Sequence, residues 1–129
     1  MALLSVDDLS FAYRDRTVLS RISFSVDAGE VLGLVGPNGC GKTTLIKCVD
    51  GMLSPQEGKV VLGGRDLGGM HRREVARAMA YVPQSAGNQT ASTVFETVLM
   101  GRRPYLNWTV SPEDEERVAA ALDLLDLGG

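Results

Sequence analysis

Eight consecutive residues, Gly36-Pro37-Asn38-Gly39-Cys40-Gly41-Lys42-Thr43, combine the groups needed to hold a chain of phosphates. They meet the pattern G-x-x-x-x-G-K-[ST], and a second threonine, Thr44, follows. From the chain's own glycine, lysine, serine and threonine content, an accidental match has a chance of ~0.5%. Backbone N–H groups must converge on phosphate oxygens where side chains would obstruct them, hence the glycines. A helix after the loop turns its partially positive N-terminus to the same anion. Lys42 offers a point charge to the terminal phosphates. The Thr43 hydroxyl suits magnesium, which keeps most of its ligands as water and phosphate oxygen. The loop therefore implies a nucleoside triphosphate bound with Mg2+. Cys40 stands at the helix entrance, where a thiol pKa can fall and oxidation would block phosphate; otherwise it is a small residue that the turn tolerates.

The flanking pattern supplies elements to position the loop. Residues 31–35 (VLGLV) are a continuous apolar run, which predicts a strand buried on both faces. Residues 44–49 read as a helix ending near Gly51. Upstream, residues 3–13 and 17–26 alternate polar and apolar around the turn Arg14-Asp15-Arg16, which predicts an antiparallel layer with one wet face. Leu4, Val6, Leu9, Phe11 and Tyr13 point inward after a slip at Asp7-Asp8, which suggests a bulge. Val18, Ile22, Phe24 and Val26 follow on the second strand. Downstream come a strand at 59–62, a turn at Gly63-Gly64-Arg65-Asp66, a helix at 70–79 and a short strand at 80–82. Residues 85–92 (SAGNQTAS) read as a mobile surface loop, and 93–101 as a helix. Ser111-Pro112-Glu113-Asp114 starts a helix to about Leu127, with Ser at the cap and Asp at the third helical position.

Composition is that of an ordinary globular domain, with 44% apolar and 22% charged residues. A net charge of -3 gives no general attraction to nucleic acid, and no nucleic-acid partner is expected. The arginines at 72, 73, 77, 102 and 103 read as solvated helix faces. Two cysteines form neither a disulfide framework nor a CxxC metal pattern, which fits a reducing compartment. No stretch reaches the length of a membrane span.

The run LSFAYRDRTVLSRISFSVDAGEVLGLVGPNGCGKTTL from Leu9 to Leu45 closely resembles the start of an ABC transporter ATPase subunit. So do GMLSPQEGKV from Gly51 and Tyr81-Val82-Pro83-Gln84. The resemblance implies a P-loop α/β core with an N-terminal antiparallel layer over about residues 1–84, then a loop and the start of a helical subdomain over about 85–129. It makes ATP and Mg2+ the cofactors. Tyr13 matches the aromatic that stacks on adenine. Gln84 matches the glutamine that reaches the magnesium and the attacking water, so Lys42 and Gln84 form the catalytic set and Thr43 and Gln84 the metal set. TVFETVLMGRRPYLNW with SPEDEERVAAALDLLDL looks like the importers of ferric siderophores, haem or cobalamin. The implied partners are a transmembrane permease, a second ATPase copy and, indirectly, a substrate-binding protein. The implied place is the cytoplasmic face of a prokaryotic membrane, with Tyr105 and Trp108 as interface anchors.

The family's catalytic set is incomplete in this sequence. There is no LSGGQ signature, no apolar strand ending in Asp-Glu and no histidine after one; His71 reads as a surface helix residue. Ala119–Asp123 does not replace the acidic strand, because Val118, Ala121, Leu122 and Leu125 share one helical face. The expectation is the N-terminal part of a longer ATPase that binds nucleotide with little hydrolysis. A small P-loop kinase or GTPase, or a purely nucleotide-binding fragment, are the alternatives. No [NT]KxD guanine motif is present, and Tyr13 and Gln84 have no role in either enzyme.

Overall fold

The computed structural model describes residues 2–84 and 92–127, in two compact units, Met1–Ala80 and Tyr81–Gly129. In the first unit, strands β1 (Ala2–Tyr13), β2 (Arg16–Asp27), β3 (Glu57–Leu62) and β4 (Arg65–Asp66) form one antiparallel sheet in the order β2-β1-β3-β4. Helix α1 (Lys42–Val49) places Leu45 and Cys48, three residues apart, on the sheet's apolar face beside Val6, Leu9, Phe11, Leu19 and Val60. Leu67 and Val75, the latter on α2 (Arg72–Ala78), close the same core. Gly51, at φ +83°, ends α1 with its N–H on the Cys48 carbonyl.

The expected bulge is present and has a partner. Asp8 (φ +46°) and Arg21 (φ +48°) sit in the left-handed region on the two paired strands. The Ser23 hydroxyl accepts from the Asp8 N–H at 2.8 Å, and the Ser10 hydroxyl accepts from the Arg21 N–H at 3.0 Å. Each bulge amide is thus satisfied by a serine of the opposite strand. The second bulge shifts register so that Ile22 faces Leu9 while Leu19 faces Phe11. Leu19, which simple alternation left out, is therefore buried. Gly58 answers the first bulge. A Cβ there would stand 2.4 Å from both the Asp7 and Asp8 carbonyl oxygens, and its φ is +80°.

Two expected strands do not form. Residues 31–35 are irregular, with Val31 95% and Val35 99% exposed. Residues 80–82 have no regular structure, and Tyr81 and Val82 are exposed. A buried strand exists only if neighbouring strands pair with both of its edges, and among the described residues no strand pairs with either segment. The turn at 63–66 is likewise shorter than expected: Gly63-Gly64 turns, and Arg65–Asp66 already pair with Leu62 and Val61.

In the second unit, α3 (Val94–Leu99) runs into a 3-10 segment, Met100–Tyr105, within a stretch expected to be irregular from 102 on. Helix α4 (Pro112–Leu124) starts as expected at Ser111 and stops three residues before Leu127. Most of the loop expected at 85–92 lies outside the described residues. Asp114 is 3% exposed. Its carboxylate accepts from the Ser111 N–H at 2.9 Å, the Ser111 hydroxyl at 2.8 Å and Arg102 Nε at 2.9 Å. The Ser111 bonds, and then Arg102, hold this carboxyl below the usual carboxylate range. Arg102 is therefore a structural partner rather than a solvated charge, and its guanidinium lies 4.3 Å from the Tyr105 ring centre.

Gly58→Ala is expected to destabilise the first unit by about 2 kcal/mol or more in urea unfolding. Gly63→Ala, at φ +55° with open space around it, should cost about 1 kcal/mol; equal losses would contradict the steric account. A second outcome concerns acid. The folded Asp114 carboxyl is more acidic than the unfolded one, so the unfolded chain takes up the proton first as pH falls. Its stabilisation of α4 is fully present above about pH 4 and disappears as pH falls through the folded value. Circular dichroism should show a helical loss at low pH that is reduced in Asp114→Asn.

Candidate functional site

The candidate site is built in the first unit from the 36–43 loop, the head of α1 and the β1–β2 hairpin. Gly39 and Gly41 adopt φ of +84° and +99°, which side chains disfavour. The Cys40 N–H donates to the Pro37 carbonyl at 3.3 Å and closes the turn. Gly41 caps α1 and is crowded: a Cβ there would lie 3.0 Å from Val18 Cγ1 and 3.1 Å from Leu19 Cδ2. The loop–helix junction is thus seated on β2. Gly36 is crowded too, since an added Cβ would lie 2.8 Å from the Cys40 Sγ.

Lys42 Nζ donates to the Gly36 carbonyl and lies 3.4 Å from that of Pro37. Its ammonium is folded across the loop, and among the described residues no carboxylate pairs with it. The first turn of α1 carries no acidic residue. The N–H groups of that turn have no intrahelical acceptor by construction. A helix N-terminus, a lysine charge and glycine-lined backbone all face the same place without a competing anion, and this fits a polyphosphate. Thr43, exposed in the first turn, brings a hydroxyl oxygen to the same end, which is the hard donor magnesium takes alongside phosphate oxygens. Asn38 is exposed and Thr44 half-buried at the loop and helix.

The hairpin brings Tyr13 to the same assembly. Tyr13 is the last residue of β1, opposite Arg16. Its ring meets Phe11 edge to face at 4.8 Å and 82°. Phe11 in turn pairs with Leu19, on which Gly41 is seated. Tyr13 stays 47% exposed, so part of its ring is available. The expectation that it points inward with Phe11 fails because it lies past the last row of the core.

Gln84 belongs to the second unit, where it is exposed at a bend. Trp108 is fully exposed, and Tyr105 is partly covered by Arg102. His71 precedes α2 as its cap, with Glu74 accepting its N–H at 2.9 Å. Cys48 is a core residue: burial, then the nearby Asp50 charge, raises its thiol pKa, so it stays protonated at neutral pH. Sequence reading missed the seating role of Leu19 and any role for Gln56. The crowding at Gly41 has no local sequence signal beyond the glycine itself.

A family model described as ABC transporter matches residues 19–129. An uncharacterized ABC transporter ATP-binding protein of Methanocaldococcus jannaschii is 42% identical over 98% of this chain and 50% of its own length. A probable siderophore transport system ATP-binding protein of Bacillus subtilis is 36% identical over 95% of this chain and 45% of its own. A metal-chelate type ABC transporter solved in an inward-facing conformation superposes with a TM-score of 0.76 at 29% identity, over 99% of this chain and 47% of that one. The chain spans about half the length of the curated relatives it matches.

Gly41→Ala is expected to weaken binding of inorganic tripolyphosphate at least ~10-fold, because a side chain at φ +99° against Val18 and Leu19 must push the junction away. Calorimetric titration checks this, and unchanged affinity would contradict the cradle.

Proposed function

The chain belongs to the ABC transporter family, as part of its ATP-binding domain, and from that premise we propose that it holds Mg–ATP between the 36–43 loop and Tyr13 and that the whole protein drives import of a metal chelate. The observation that carries the reading is the seating of Gly41 on Val18 and Leu19, which joins the phosphate loop to the hairpin that ends in Tyr13. Backbone N–H groups of the loop and α1 bind the phosphates, Lys42 neutralises the terminal ones, and Tyr13 stacks on adenine. Thr43 would hold Mg2+, which would neutralise charge developing on the transferred phosphoryl group, and Gln84 is the metal and water residue that the family resemblance implies. Gln84 positions the attacking water through an amide that both donates and accepts.

Turnover by residues 1–129 alone is slow in this reading, since these residues include neither the LSGGQ motif nor an apolar strand ending in Asp-Glu to anchor the metal and activate water. A small kinase or GTPase loses ground to the family match. Among the described residues no helix is long and apolar enough to cross a membrane. In the proposed machine a permease partner provides the path, with this chain at its cytoplasmic face. Trp108 is the proposed anchor for that partner, with Tyr105 beside it. A second ATPase copy and a substrate-binding protein complete the proposed machine. The relative named for siderophore transport and the metal-chelate transporter support the substrate class.

Titration of Mg–ATP into the chain should give saturable binding that Lys42→Ala weakens about 100-fold. Phosphate release by residues 1–129 should not exceed that of the Lys42→Ala variant. Equal ATP affinity in the two proteins would overturn the site, and rapid turnover by the unaltered chain would overturn the claim of slow hydrolysis.

A further inference from the structure

We propose that Gln56 is a positioning residue for the adenine end of the site and thereby sets the preference for a nucleotide over a bare polyphosphate; this rests on the role given to Tyr13 above. β1 pairs with β2 as far as its last residue, Tyr13 opposite Arg16. On its other edge the pairing with β3 stops at Ser10 opposite Glu57. The next outward-facing peptide groups on that edge belong to Ala12, and among the described residues no strand reaches them. The Gln56 side chain does. Its Oε1 accepts from the Ala12 N–H at 2.8 Å and its Nε2 donates to the Ala12 carbonyl at 2.9 Å, while its own backbone N–H donates to the Ser10 carbonyl at 3.0 Å.

A primary amide carries the same donor and acceptor as a peptide, so Gln56 adds one more rung to the ladder from a side chain. The two bonds clamp the residue immediately before Tyr13. The Tyr13 ring is steadied by Phe11, its backbone by pairing with Arg16 of β2, and the preceding residue by Gln56 on the other edge. A carboxylate at position 56 could accept from Ala12 but not donate to it, and alanine could do neither. Without the clamp the end of β1 is held by β2 alone, and the stacking platform must be ordered when the base binds. The phosphate loop is seated on Val18 and Leu19 of β2, and the Gln56 side chain bonds to Ala12 of β1 rather than to either, so polyphosphate binding does not draw directly on Gln56.

The test is calorimetric titration of Mg–ATP and of Mg–tripolyphosphate into the unaltered chain, Gln56→Ala, Gln56→Glu, Tyr13→Ala and the Tyr13→Ala/Gln56→Ala double variant. Gln56→Ala is expected to weaken ATP ~5-fold and leave tripolyphosphate unchanged, which also shows that the loop remains folded. Gln56→Glu should shift ATP affinity in the same direction. In the Tyr13→Ala background, Gln56→Ala should cost nothing further. Equal weakening of both ligands, or additive losses in the double variant, would overturn the inference and leave the function standing. Failure of the unaltered chain to bind either ligand would overturn the function itself, and the inference with it.

Discussion

The site depends on the close approach of Gly41 to Val18 and Leu19. A loop that offers backbone N–H groups to phosphate has few side chains with which to hold its own shape, so something outside it must fix where the following helix begins. Here β2 does so through the Val18 and Leu19 side chains, which a Cβ at Gly41 would crowd at 3.0 and 3.1 Å. The same strand pairs with β1, whose last residue is Tyr13. One hairpin therefore fixes both ends of the proposed nucleotide site: the helix head that meets phosphate and the aromatic ring offered to the base. Asp8 and Arg21, with the serines that satisfy their amides, set the register that puts Leu19 under the junction.

The segment before the loop behaves differently. Val31 and Val35 are almost wholly exposed, although their sequence reads as the interior of a parallel sheet. Such a strand is stable only between paired neighbours, and none of the described strands is placed to pair with it. The antiparallel sheet and α1 instead make their own core around Leu9, Leu45 and Cys48. Support of the loop in this chain thus comes from the side of the hairpin. The chain also spans about half the length of its curated relatives.

Much of this was legible in the residues because its causes are local. The phosphate loop, the Asp7-Asp8 slip, the hairpin turn and the Ser111 cap each depend on residue types within a few positions. What escaped depends on distant partners. Leu19 is inward only because Arg21 bulges against Ser10, a feature set by the opposite strand. Gln56 reads as a loop residue and becomes informative only when β1 is found to run three residues past the end of its pairing with β3. The apolar runs at 31–35 and 80–82 were correct as composition but could not form strands without neighbours. Arg102 looked solvated because Asp114, which it pairs with, belongs to a different helix.

The central claim is that phosphate loop and aromatic ring form one site. A nuclear magnetic resonance titration with Mg–ATP, following the amides of Gly39, Gly41 and Lys42 together with the ring of Tyr13, tests it most directly. All four should shift together along a single binding curve. Shifts confined to the loop, with Tyr13 unmoved at saturation, would contradict a joint site.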